Sequence, residues 1–149
     1  MSADDNAVWL DGFDYTDAWL LGCQMRAAAL ERSLPLVIGV MHGDQRAFHT
    51  SLPGAYPESD RWLERKLNTA KRYGRSSLGV LEFFTETGRD FDTQSRLPAG
   101  EYAAAGGVVP IRVTGVGIVG FAGVSGLPHR DDHTFVTEQL AAFPSSHDG

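Results

Sequence analysis

Cysteine is nearly absent from this chain: Cys23 is the single one. An internal disulfide is therefore excluded. The acidic start, Met1-Ser2-Ala3-Asp4-Asp5-Asn6, lacks the charged-then-apolar pattern of a secretory leader. Together these point to the cytoplasm. No apolar run is long enough to span a bilayer, so no membrane partner is expected. Positive charge is also scarce: 13 Lys and Arg stand against 19 Asp and Glu, a formal charge of −6. A nucleic acid would repel such a chain at long range, and no nucleic-acid partner is expected. Neither an internal repeat nor an interdomain linker is visible.

What remains is enough for one hydrophobic core, since 42% of the 149 residues are apolar. The expected organisation is a flexible arm over residues 1–12, a single domain over 13–143, and a polar tail over 144–149. Asp14 or Thr16 suits the cap of a helix reaching about Ser33. That helix has two apolar stripes. Ala18, Leu21, Gly22, Met25 and Ala29 form one; Leu20, Cys23, Ala27 and Leu30 form the other. Two stripes imply burial in a core or at a subunit contact, with Cys23 a buried, inert thiol. Residues 36–42 read as an interior strand, Gly43-Asp44 as a hairpin turn, and residues 45–52 as the returning strand. A helix follows over 58–73, then one over 78–86 capped by Ser76 or Ser77, then a loop over 89–100 and a short strand over 101–105. The glycine-rich stretch from Gly106 to Gly126 reads as two strands around a tight turn. In the second strand Val116, Ile118, Ala122 and Val124 face one way, Val119 and Phe121 the other. Pro128 opens a last helix ending near Phe143. The expected fold is α+β, an antiparallel sheet between two helical layers.

Gly106-Gly107, Pro110-Ile111, Gly120, Gly123-Val124-Ser125-Gly126 and Asp132 together resemble the GlcG/HbpS-like family. Trp62-x-x-Arg65-Lys66, Gly74-x-Ser76-Ser77 and Val124-Ser125-Gly126-Leu127-Pro128 resemble an uncharacterised branch of it. The likeness covers about residues 13–142. It implies a profilin-like fold, a five-stranded antiparallel sheet between helices, and haem as a cofactor. It points to no iron ligand in this chain.

Candidate functional residues are few. Arg61, Arg65, Lys66, Lys71, Arg72 and Arg75 make a local basic patch on an acidic chain, suited to carboxylates or phosphates. Ser76 and Ser77, at a helix start, add N–H donors for an anion. Arg65, Lys66, Arg72, Ser76, Ser77 and Ser125 are therefore the expected contacts of a small anionic ligand. The bland alternatives are a solvated basic face and inter-subunit ion pairs. His42 and His49, four residues apart beyond a regular turn, are expected on one face of the sheet but too far apart to share a metal. His129 and His133 have the i, i+4 spacing of zinc ligands but no third partner, so no metal site is expected. Gly123-Val124-Ser125-Gly126-Leu127 fails the nucleophile-elbow pattern. No catalytic residue is expected. Two functions stay open: a small-ligand binding protein, with haem implied by the resemblance, and an oligomeric scaffold. The scaffold would use the doubly apolar first helix and the aromatics Trp9, Trp19 and Trp62 as subunit contacts. A third reading, an enzyme acting on a phosphorylated or carboxylated metabolite, has the basic patch but no acid–base pair.

Overall fold

Residues 2–144 are described by the structure, a computed structural model. The tail expected over 144–149 lies outside them apart from Pro144. In chain order the elements are β1 (Trp9–Leu10), α1 (Tyr15–Glu31), β2 (Val37–His42), β3 (Gln45–Ser51), α2 (Pro57–Tyr73), α3 (Ser77–Glu86), α4 (Phe91–Gln94), β4 (Val108–Val113), β5 (Gly117–Ser125) and α5 (His129–Ala142).

Local chemistry explains most boundaries. Asp14 caps α1 in a reciprocal box with Asp17: each carboxylate accepts the other's backbone N–H, at 2.9 and 2.8 Å. Pro57 occupies the first turn of α2, and Gly74 closes that helix in the left-handed conformation. Ser76 caps α3 through the Gly79 N–H, at 2.9 Å.

The sheet order is β1-β4-β5-β2-β3. Four strands pair antiparallel, but β1 lies parallel to β4, so the sheet is mixed where an antiparallel one was expected. The fifth strand is not residues 101–105. It comes from Trp9–Leu10, part of the stretch read as a free arm. Leu10 is buried and lines β4, which supplies the reason: the arm carries one strong apolar anchor.

One face of the sheet packs on α1 and α5 through Leu21, Met25, Ile38, Val40, Ala122, Val124, Val136 and their neighbours. The other face packs on α2 through Leu63, Leu67, Val37, Met41, Val108 and Phe121. These are the three layers expected. Gly39 and Gly123 are cross-strand partners. A methyl at either would meet Leu63, so together they form the notch in which α2 sits close to the sheet.

Two irregularities change which face several residues take. Phe48 pairs with Val40 and Arg46 with Met41, leaving Ala47 unmatched. His49 therefore points to the α2 side, bonded to Asp60 at 2.8 Å. His42 stays on the α1 side, stacked on Tyr15 and bonded to the Phe13 carbonyl. The two histidines expected on one face occupy opposite faces. Likewise Val119 is unmatched between Gly120, opposite Ile111, and Ile118, opposite Arg112. Val119 joins the α1 layer while Ile118 lies on Phe121's side, the reverse of the regular alternation expected.

The second stripe of α1 faces outward. Leu20 and Leu30 are exposed, with Tyr15 and Trp19 beside them. Cys23 is exposed too, contrary to the buried thiol expected, because the sheet covers only the other stripe. The loop expected over 89–100 contains the short helix α4, whose Phe91 packs on Phe84.

Candidate functional site

The inward face of α2 carries Ser59, Leu63, Lys66, Leu67 and Ala70. A lysine on an apolar stripe needs a partner, and Lys66 has three. Its Nζ donates to the Gly106 carbonyl at 3.0 Å, the Val124 carbonyl at 2.9 Å and Asp132 Oδ2 at 3.2 Å. An ammonium has three hydrogens, so all are committed. Asp132, in the first turn of α5, also accepts the Leu127 N–H on Oδ1 at 3.0 Å. Both side chains are 2% exposed. Burial pulls the Lys66 ammonium below its ordinary 10.5 and pushes the Asp132 carboxyl above 3.8, while each partner opposes the other's shift. Gly107, at φ +140°, makes this geometry feasible: a Cβ there would collide with Nζ.

Above this pin is a cavity of about 300 Å³, walled by Tyr56 and Trp62 on one side and by Gly126, Leu127 and His129 on the other. Ser59 and Ser125, each 6% exposed, line it. Neither hydroxyl is hydrogen-bonded to another described residue. His129 Nδ1 accepts the Gly106 N–H at 3.0 Å. A backbone amide is an obligatory donor, so Nδ1 is bare and the proton of the neutral ring sits on Nε2. Burial first, then Arg130 and Lys66, hold this imidazole below its ordinary 6.5 and keep it neutral. His129 thus offers a donor, not a lone pair. It has no free nitrogen for iron or zinc, and no base for drawing a proton from Ser125. A broader hollow of about 570 Å³ adjoins it beside Ser51 and Arg61. Its Asp60 is already engaged with His49.

The six expected ligand contacts are divided between places. Lys66 and Ser125 meet in the cavity, but Lys66 as a paired ammonium with no hydrogen to spare. Arg65 lies on the Trp62 ring, 4.3 Å from its centroid, and donates to the Ala99 carbonyl. Arg72 covers Tyr102. Ser77 exchanges hydrogen bonds with the Val108 backbone. Ser76 binds an anion, but that anion is Asp4 of the same chain. The basic helix does not bring these residues into one cationic groove: Arg65 and Arg72 stack on rings, Arg65 also fastens the loop before β4, and Lys66 is internal. Tyr56, Ser59 and His129 are site residues the sequence reading missed. A signal for Lys66 as a buried centre was present in its place between Leu63, Leu67 and Ala70.

His133, one turn beyond His129, is buried, and its Nδ1 has no hydrogen-bond partner. Burial lowers its pKa from 6.5, Arg130 adds to this, and Asp4, Glu82 and the Ala3 backbone oppose it. Both histidines are thus depressed in the folded state. Below 6.5 the unfolded chain takes up protons that the folded chain refuses, so stability falls as pH drops through that value and levels off below the folded-state pKa. Asp132, raised above 3.8, works in the opposite sense at the acidic end. Chemical denaturation at pH 7.5 and 5.5 is expected to show a loss that is smaller in His133→Phe. An equal loss in that variant would remove His133 from the account.

Residues 13–141 match the family described as haem degrading protein HbpS-like. A UPF0303 protein of Streptomyces avermitilis is 41% identical over 143 residues, covering 96% of this chain and 88% of the relative. Among solved structures, that of the Ybr137w protein superposes with a TM-score of 0.80 at 28% identity, covering 89% of this chain and 80% of the other. A PduOC:heme complex superposes with a TM-score of 0.72 at 20% identity, covering 88% of this chain and 94% of the other; that likeness concerns the fold, which is profilin-like. Among the described residues no helix is long and apolar enough to cross a membrane. On the family match and the 41% identity, this chain belongs to the HbpS-like family.

Proposed function

We propose that the cavity between α2 and the Ser125–Leu127 turn binds a small organic acid. One observation carries this: the Ser59 and Ser125 hydroxyls, to which no described residue hydrogen-bonds, line the same space as a neutral histidine whose free ring nitrogen carries the proton. Burial, and after it the charges of Arg130 and Lys66, keeps His129 neutral, so the ring stands ready as a hydrogen-bond donor. Trp62 and Tyr56 supply the apolar wall that small-ligand pockets combine with a few polar groups. Haem, which the family name raises, fits this cavity poorly. The space is too small to enclose a porphyrin, and no histidine there has a lone pair for iron. The reading is therefore binding of a carboxylate or phosphate metabolite, not haem chemistry.

Native mass spectrometry of freshly purified protein tests it. The expected result is a bound small acid that the Ser125→Val variant loses at least tenfold. A saturable Soret shift on haem titration, abolished by Ser125→Val, would put haem in the cavity and overturn the reading.

A second reading, self-association, has its own observation: Tyr15, Trp19, Leu20 and Leu30 leave the outer face of α1 apolar and exposed. Sedimentation is expected to show a multimer that Trp19→Glu dissociates. A wild-type monomer at micromolar concentration would end this reading.

A further inference from the structure

The arm before β1 is held through Ala3 and Asp4. The Ala3 N–H donates to Glu82 Oε1 at 2.7 Å. The Asp4 carboxylate accepts the Ser76 N–H at 3.1 Å and the Ser76 hydroxyl at 2.9 Å, with Arg112 at 3.7 Å. The Ala3 backbone faces His133, whose Nδ1 is buried and unpartnered. Gly79 leaves the space that the carboxylate fills; a Cβ there would collide with it. Ser76 is fully buried, and the Arg112 side chain is 13% exposed. This is a peptide-reading arrangement: an acceptor for a backbone N–H, and a hydroxyl, an amide and a guanidinium for the next side-chain carboxylate.

We propose that this cradle of α3, β4 and α5 is a recognition site for a short acidic peptide segment, filled in cis by Ala3-Asp4 and open to exchange with a segment of the same chemistry from another chain. The cradle reads a backbone N–H as well as a charge, so it selects an aspartyl peptide over a free anion. The tethered arm competes at an effective concentration of order millimolar, so exchange needs a partner presented at high local concentration.

The test uses the full-length Asp4→Ala protein, ¹⁵N-labelled, titrated with an acetylated peptide of residues 2–7. The expected result is a saturable movement of the Ser76 and Gly79 amide signals. It is absent in the wild type, whose own arm occupies the cradle, and at least tenfold weaker for a peptide with Asn in place of Asp4. Arg112→Met in the same background is expected to weaken binding as well. Asp4→Asn serves as receptor if Asp4→Ala does not fold. Equal binding of the Asp and Asn peptides overturns the proposal. So does the lack of a saturable response at several millimolar peptide in a folded receptor, or a response to acetate as strong as that to the peptide.

Discussion

Replacing Lys66 with Met is expected to lower the free energy of unfolding by about 3–5 kcal/mol, the usual result of removing one member of a buried ion pair. Three groups lose their partner together. The Asp132 carboxylate keeps its charge in a site 2% exposed, and the Gly106 and Val124 carbonyls lose a donor. The thioether is close in length to the lysine stem but donates nothing. Against a total stability of about 5–15 kcal/mol for a domain of this kind, the variant should sit near the edge of folding. Urea denaturation with tryptophan fluorescence measures the loss. Adding Asp132→Asn to Lys66→Met should recover part of it, because the stranded charge is then removed. The double-mutant cycle separates that charge term from the orphaned carbonyls. A loss under about 1 kcal/mol for Lys66→Met, the scale of exposed pairs, would mean that water reaches the pair.

Gly107→Ala is expected to cost about 2–4 kcal/mol, combining backbone strain with overpacking. Its φ of +140° is one that side chains rarely adopt, and the new methyl would meet both Lys66 Nζ and the Val124 carbonyl. The carbonyl is backbone and cannot move aside without opening β5. Gly123→Ala makes a useful contrast. Its methyl would meet the Val108 and Leu63 side chains at 2.6 and 2.9 Å and the Gly107 carbonyl only at 3.2 Å, with no positive φ. Those chains can shift, so about 1–2 kcal/mol is expected there. If the two substitutions cost the same in thermal unfolding, strain at Gly107 contributes nothing.

The fold was legible wherever local chemistry decided it. Asp14, Gly74 and Ser76 mark helix ends by capping rules that need no tertiary information. The family likeness of Gly106-Gly107 and Val124-Ser125-Gly126 located one side of the cavity. What escaped was set by distance along the chain. Nothing in Trp9-Leu10 announces a parallel strand beside Val113, because the partner lies about a hundred residues away. Charge was the most deceptive signal. Six basic residues near α2 look like an anion surface in a list, yet Lys66 is internal while Arg65 and Arg72 lie over aromatic rings. Ser76 does meet an anion, but the carboxylate belongs to Asp4, 72 residues earlier. Ser125, expected as a ligand contact, lines the cavity, and so does His129, whose tautomer is fixed by a Gly106 amide 23 residues earlier and could not be read from its spacing.

The unmatched residues Ala47 and Val119 have a bearing on how this chain could change length. In each strand the flanking residues already alternate correctly without the extra one: Phe48 and Arg46 take opposite sides, as do Gly120 and Ile118. Deleting Ala47 or Val119 would leave a regular ladder with every remaining side chain facing the helix it faces now. A deletion at any paired position of β3 would turn the rest of the hairpin inside out. Gaps in sequence alignments across these hairpins belong at those two residues, and a gap placed elsewhere would exchange core positions for solvent ones.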